Sequence, residues 1–161
     1  MPEVVCNTSP VQYLHLLGRL EVLPQLYGRV LLPPAVVSEL DAGRALGVSL
    51  PDVRSLSWCE VRPLPVNILY LPGDLDRGEW EVLNLAHQLG ALSILDDGRA
   101  RAHAQRHGLR FTGTVGVLLR AKTSGLLGEI KPLLEKLRQL GFRLDNDAFA
   151  TALRLAGESK P

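Results

Sequence analysis

Short apolar runs alternate with longer stretches whose apolar residues recur every three to four positions. Val4-Val5-Cys6 reads as a buried strand. Ser9, Pro10 and Gln12 read as the N-cap, first helical position and capping-box partner of a helix with Val11, Leu14, Leu17 and Leu20 on one face. Gly18 and Pro24 are expected to break that helix in two. Arg29-Val30-Leu31-Leu32 is a second strand, stopped by Pro33-Pro34, which open a helix carrying Val36, Val37 and Leu40. A short helix is expected within 41–57, and Glu60–Leu64 is expected as an edge strand because of Pro63. Asp76 and Glu79 form a capping box, and the helix they start stops at Gly90. A strand at Leu92–Leu95, a basic helix from Asp97 to Gly108 and a strand at Leu109–Thr112 come next. An apolar helix from Val115 and two more helices after Gly128 complete the chain. This alternation predicts an α/β fold with a mostly parallel sheet.

Composition narrows the function classes. The chain has 161 residues, 46% of them hydrophobic, which suits one domain with a sizeable core. Net charge is +1, so binding to nucleic acid needs a local basic patch rather than a global field. The two cysteines, Cys6 and Cys59, are far apart; Cys6 reads as a small core residue, and no zinc cluster or disulfide framework is indicated. The first residues carry neither a basic region nor a long apolar run, and no run is long enough to span a membrane, so a cytoplasmic location is expected.

Candidate chemistry gathers where strands end and helices begin, the edge at which α/β sheets place their sites. Asn7 follows the first strand and reads either as a turn residue or as a neutral oxygen ligand. Glu39 reads as a solvent-facing helical residue or as one pointing into a cleft. Glu79 already serves a capping box, and Glu81 beside it is expected to face solvent. Asp96 and Asp97 follow the fourth strand; one caps the next helix and the other is free for a ligand role, and the residues alone do not say which. Thr112-Gly113-Thr114-Val115-Gly116 is a small-residue turn offering N–H groups and a hydroxyl, without the spacing of a P-loop. Arg99, Arg101, His103 and Arg106 make a basic helix, either a solvated face or a phosphate-contacting surface. Carboxylates collected at this edge suit Mg²⁺ or Mn²⁺, which prefer hard oxygen ligands.

Five segments in order resemble the PIN domains. They are Val5-Cys6-Asn7-Thr8-Ser9-Pro10, Leu32-Pro33-Pro34-Ala35-Val36-Val37-Ser38-Glu39-Leu40, Gly78-Glu79, Ile94-Leu95-Asp96-Asp97 with Arg99 to Arg101, and Thr112-Gly113-Thr114-Val115-Gly116. The stretches Lys131–Leu134 and Gly141–Leu144 fit as well. The resemblance implies one domain over residues 1–161 with a three-layer α/β/α fold and C-terminal helices from about residue 128. It implies cleavage of single-stranded RNA by metal-activated water with Mg²⁺ or Mn²⁺. It also implies, as in many relatives, a small antitoxin partner and a homo-oligomer. Carried over by position, Glu39, Glu79, Asp96 or Asp97, and Thr114 form the site. Asn7 stands where the family more usually has Asp. One missing negative charge predicts weaker metal binding and reduced activity; a non-catalytic module that binds nucleic acid or protein is the alternative.

Overall fold

The computed structural model describes residues 3–64 and 73–159. Five short strands, β1 (Val4–Cys6), β2 (Val30–Leu32), β3 (Cys59–Val61), β4 (Leu92–Ile94) and β5 (Phe111–Thr112), form one sheet in the order β3-β2-β1-β4-β5. Every neighbouring pair is parallel. β1 and β2 are buried at every position, which explains why they read as continuous apolar runs rather than alternating ones. The edge strand expected at Glu60 is β3, one residue earlier and shorter than its sequence pattern suggested.

The helices are α1 (Thr8–Leu16), α2 (Val22–Tyr27), α3 (Pro34–Ala45), α4 (Arg77–Leu89), α5 (Gly98–Arg106), α6 (Thr114–Thr123), α7 (Lys131–Gln139) and α8 (Asn146–Leu155). Together with the sheet they make the three-layer α/β/α arrangement. α4 packs on β1 and β4 and touches α3 and α5, while α6 packs on β5 and touches α1, α2 and α8. Val5, Leu31, Leu83, Ile94, Leu118 and Leu134 are among the core side chains removed from solvent.

Three local expectations are corrected. Ser9 does not cap α1: the helix starts at Thr8 after Asn7, and the Ser9 hydroxyl is instead donated to Asp96. Pro24 does not break a helix; it lies in the first turn of α2, where a missing N–H costs nothing, and the break is made by Gly18 at φ 68°. Within 41–57, α3 runs on to Ala45 and a single 3-10 turn follows at Val53–Ser55.

Glu81 is a fourth correction. It is 5% exposed, not solvent-facing. Its Oε1 accepts the Ala35 N–H at 2.9 Å, and its Oε2 is paired with Arg77 at 2.7 Å. The reason is the start of α3: Pro33 is the N-cap and offers no side-chain acceptor, so the orphan N–H of the first turn must find one elsewhere. Glu81 supplies that acceptor from α4 and ties the two helices together at the end where the site lies. Glu81→Ala is expected to destabilise the fold by about 1–2 kcal/mol, the cost of a lost cap, read by urea unfolding.

Candidate metal and nucleic-acid site

The strand order decides where the chemistry meets. The chain runs from β1 outward to β2 and β3, then returns to place β4 on the other side of β1. That reversal is a topological switch point, and a crevice opens beyond the strand ends there. Cys6 is in register with Ile94, and the Asn7 N–H donates to the Ile94 carbonyl at 3.0 Å. Asn7 and Asp96 therefore leave neighbouring strands at the same edge. They line a single pocket of about 550 Å³ together with Glu39, Asp76, Glu79 and Asp97. Asn7 and these carboxylates, spread by the chain over ninety positions, line one cavity.

Each acidic side chain is held differently. Asp97 is the N-cap of α5, its Oδ1 accepting from the Arg99 and Ala100 N–H groups at 2.9 and 3.0 Å. Asp96 is fixed by three donors: Thr114 N–H on Oδ1 at 2.7 Å, and the Ser9 and Thr114 hydroxyls on Oδ2 at 2.8 and 2.7 Å. Thr114 is wholly buried and serves the site by orienting Asp96. Glu39 projects from the second turn of α3 and accepts the Thr8 hydroxyl. Loss of hydration pushes its carboxyl above the usual range, partly countered by the Thr8 hydrogen bond. Glu79 closes the capping box expected from sequence, with Oε2 on the Asp76 N–H at 3.0 Å and its own N–H on Asp76 Oδ1 at 2.8 Å. Burial first, and the nearby Asp76, Asp97 and Glu39 charges after it, raise its carboxyl to about 6 against the hydrogen bond from Asp76 N–H. Two carboxyls, Glu39 and Glu79, are thus held above the usual range, chiefly by burial.

Asn7 carries the most direct sign of a missing partner. It is 7% exposed, and its side-chain Oδ1 is buried with no hydrogen-bond partner among the described residues. An amide oxygen left in that state costs about 1–3 kcal/mol unless something pairs with it. Asn7 also lines the carboxylate-lined pocket, and an amide oxygen is of the donor type that a hard cation such as Mg²⁺ or Mn²⁺ takes. The donor types therefore fit the ion that the fold family implies. The arrangement is loose all the same: among the described residues no three His, Cys, Asp or Glu side chains stand close enough together to hold a metal by themselves.

Gly78 reports how tightly Glu39 is placed. A Cβ built there would lie 2.6 Å from Glu39 Oε1. Gly78→Ala is expected to push the Glu39 carboxylate from its position while leaving stability within about 1 kcal/mol, since alanine gains helix propensity in compensation. Calorimetric titration with Mn²⁺ checks this through a weaker affinity in a protein that still melts cooperatively.

The basic helix divides. Arg99 faces solvent as expected. His103 does not: it is 2% exposed, its Nε2 is 2.8 Å from Asp74 Oδ1, and Arg106 sits against its ring at 3.1 Å. Ala100 and Ala104 flank His103 in the packed face, so the ring is turned inward and is no phosphate contact. The pair holds Asp74, whose carboxyl is drawn below the usual range by the His103 hydrogen bond. Arg101 stacks its guanidinium over Phe111 at 5.1 Å and stands beside Gly113 next to Asp96. Cys6 is buried, and desolvation pushes its thiol well above the ordinary value, as expected of a core residue.

Other walls of the pocket come from residues that the sequence did not single out as site candidates. Tyr13 and Phe142 meet edge to face with centroids 5.0 Å apart, and Gly141, Phe142 and Arg143 complete the lining. The segment between α7 and α8 returns to the site only because those helices pack back on the body of the fold.

No described helix is long and apolar enough to cross a membrane. No curated protein matches the chain. Among solved structures, it is similar to a PilT N-terminus domain protein, SSO1118, from the archaeon Sulfolobus solfataricus P2. The likeness has a TM-score of 0.54 and 22% identity, and covers 78% of this chain and 95% of the other, a likeness of fold. The family model DUF3368, described as a PIN domain, matches residues 3–158. With the sheet order, the switch-point pocket and a family match over nearly its whole length, this chain belongs to the PIN domain family.

Proposed function

We propose that the chain is a metal-dependent endoribonuclease acting on single-stranded RNA, with activity weakened by Asn7. PIN domains as a family are nucleases that use divalent metal ions, and the finer assignment rests on the site's chemistry. The observation that carries it is the unpartnered Oδ1 of Asn7, a residue that lines one pocket with Glu39, Glu79 and Asp96. Those four side chains are the ones to hold Mg²⁺ or Mn²⁺, and a bound ion there supplies an acidified water and polarises the phosphoryl oxygen. Asp96, clamped by Thr114 and Ser9, keeps one oxygen donor at a fixed place. Glu39 and Glu79 set the negative charge that attracts the cation, and Asp97 remains with its helix cap. A neutral amide at position 7 removes one unit of that charge, and the hydrogen bonds already made by Glu39 and Glu79 compete with any ion. Both effects point to low affinity. The reading extends, through the family resemblance alone, to a small antitoxin protein and a homo-oligomeric state.

A second reading, a non-catalytic module that binds nucleic acid or protein, is favoured by Asn7 itself and by the loose spacing of the carboxylates. Calorimetry with Mn²⁺ and a cleavage assay on labelled single-stranded RNA separate the two. Saturable Mn²⁺ binding that Glu39→Gln weakens, with Mn²⁺-dependent cutting, supports the nuclease. Intact RNA and no Mn²⁺ heat at millimolar ion supports the binding module.

A further inference from the structure

A second groove adjoins the carboxylate pocket. It has a volume of about 340 Å³ and shares Asp96, Phe142 and Arg143 with the first. Two glycines, Gly113 and Gly116, are part of its lining. A Cβ at Gly113 would meet Asp96 Oδ1 at 2.9 Å and the Leu95 carbonyl at 3.2 Å, and one at Gly116 would overlap the Thr112 hydroxyl at 2.1 Å. Glycine at both positions leaves room for the Asp96 carboxylate and the Thr112 hydroxyl, which occupy the space a side chain would take. The walls carry two guanidinium groups. Arg101, stacked on Phe111, and exposed Arg143 both line the groove. Among the described residues neither is paired with a carboxylate, although eight other ion pairs between arginine or lysine and an acid occur in the fold. Two arginines without an ion-pair partner among the described residues, lining a groove beside an acidic pocket, form an abrupt change of charge sign.

We infer that this groove is a phosphate subsite, in which Arg101 and Arg143 hold the phosphodiester next to the one lying over the carboxylate pocket. The inference rests on the proposed RNA substrate and names the residues that bind it. The chemistry fits that ligand. A planar guanidinium recognises phosphate oxygens through paired N–H donors, and a stacked one is already preorganised to do so. A substrate strand is polyanionic and would be repelled by Glu39, Glu79 and Asp96 alone, so attachment has to come from the neighbouring positive groove. The volume lies at the lower end of the roughly 300–1,000 Å³ of ligand sites, which suits one nucleotide unit of an unpaired strand. Phe142, at the junction of the two cavities, offers an apolar ring against which a base can rest. Arg143, which the sequence did not single out for chemistry, thereby acquires a role, and of the α5 arginines Arg101 is the one that lines this groove.

The test is fluorescence anisotropy of a labelled oligouridine 12-mer with the full chain in EDTA, where cutting is absent, over a salt series. Arg101→Ala and Arg143→Ala are each expected to weaken binding and to reduce the slope of log affinity against log salt by about 0.7, the counterion release of one phosphate contact on a single strand. Arg143→Glu, a change at an exposed position without packing demands, is expected to weaken binding further, and Arg154→Ala on α8 to leave the slope unchanged. Wild-type slopes in both Arg143 variants overturn the subsite. A parallel assay with Mn²⁺ keeps the two readings apart. RNA that is cut while the slopes stay at the wild-type value removes the subsite and keeps the nuclease. RNA that stays intact while Arg143 still governs binding removes the nuclease and keeps the subsite.

Discussion

Asn7→Asp is expected to lower stability in EDTA and to raise Mn²⁺-dependent RNA cleavage by about tenfold or more. The two effects share one cause. Position 7 is 7% exposed, and its Oδ1 has no partner among the described residues. A carboxylate there would be a buried charge beside Glu39, Glu79 and Asp96. Without a cation that charge is uncompensated, at a cost of about 3 kcal/mol. For a chain of this length the loss corresponds to a fall in Tm of roughly 6–12 °C. Manganese supplies the compensation, and an ion at a hundred times its Kd returns about 2.7 kcal/mol. A variant that melts early in EDTA, recovers in Mn²⁺ and cuts RNA faster than the parent identifies position 7 as a ligand site. A variant that melts like the parent in EDTA, gains nothing from Mn²⁺ and leaves RNA whole shows that the amide oxygen faces no cation, and the catalytic reading then fails.

Asp96 allows charge and structure to be separated. Asp96→Asn is expected to fold within about 1 kcal/mol of the parent and to lose cleavage by about 100-fold or more. The amide oxygen can keep the Thr114 N–H, and the amide nitrogen can donate to the Ser9 and Thr114 hydroxyls, which rotate to accept. Nearly every hydrogen bond is retained, but the negative charge is gone. Asp96→Ala removes all three acceptor contacts and leaves Thr114, which is wholly buried, with an unpaired N–H and hydroxyl. It is expected to cost about 2–4 kcal/mol in urea unfolding as well as the activity. Equal activity in the Asn variant and the parent would remove Asp96 from the proposed ligand set, whatever the Ala variant does.

The corrections in the fold have a common origin. Ser9 has the residue type and spacing of an N-cap, yet its hydroxyl goes to a carboxylate eighty-seven positions away. Glu81 looks like an ordinary surface glutamate until α3, which begins on two prolines, needs an acceptor from outside its own sequence. His103 sits in a charged run and is nevertheless turned inward, because its face of α5 is the one that packs. In each case a side chain suited to a local partner was taken by a distant one. Hydrogen-bond donors and acceptors do not advertise range, so local pattern cannot choose between the two.

Much of the architecture was legible in residue order alone. Apolar runs of three or four residues, separated by segments of helical period, specify alternating strands and helices, because each must hide one face from water. The capping box at Asp76 and Glu79 and the Gly90 stop were readable for the same reason: their bonds close within one turn. The acidic and amide candidates were readable as residues at strand ends and helix starts. Their union was not. It required the order β3-β2-β1-β4-β5, which sets Asn7 beside Asp96, and the packing of α3 against α4, which brings Glu39 to Gly78 and Glu79. The choice of Asp97 as cap, leaving Asp96 to Thr114 and Ser9, and the return of Arg143 to the pocket were likewise decided in three dimensions. Secondary structure follows from interactions a few residues apart, whereas a site assembled from five elements depends on which surfaces bury one another.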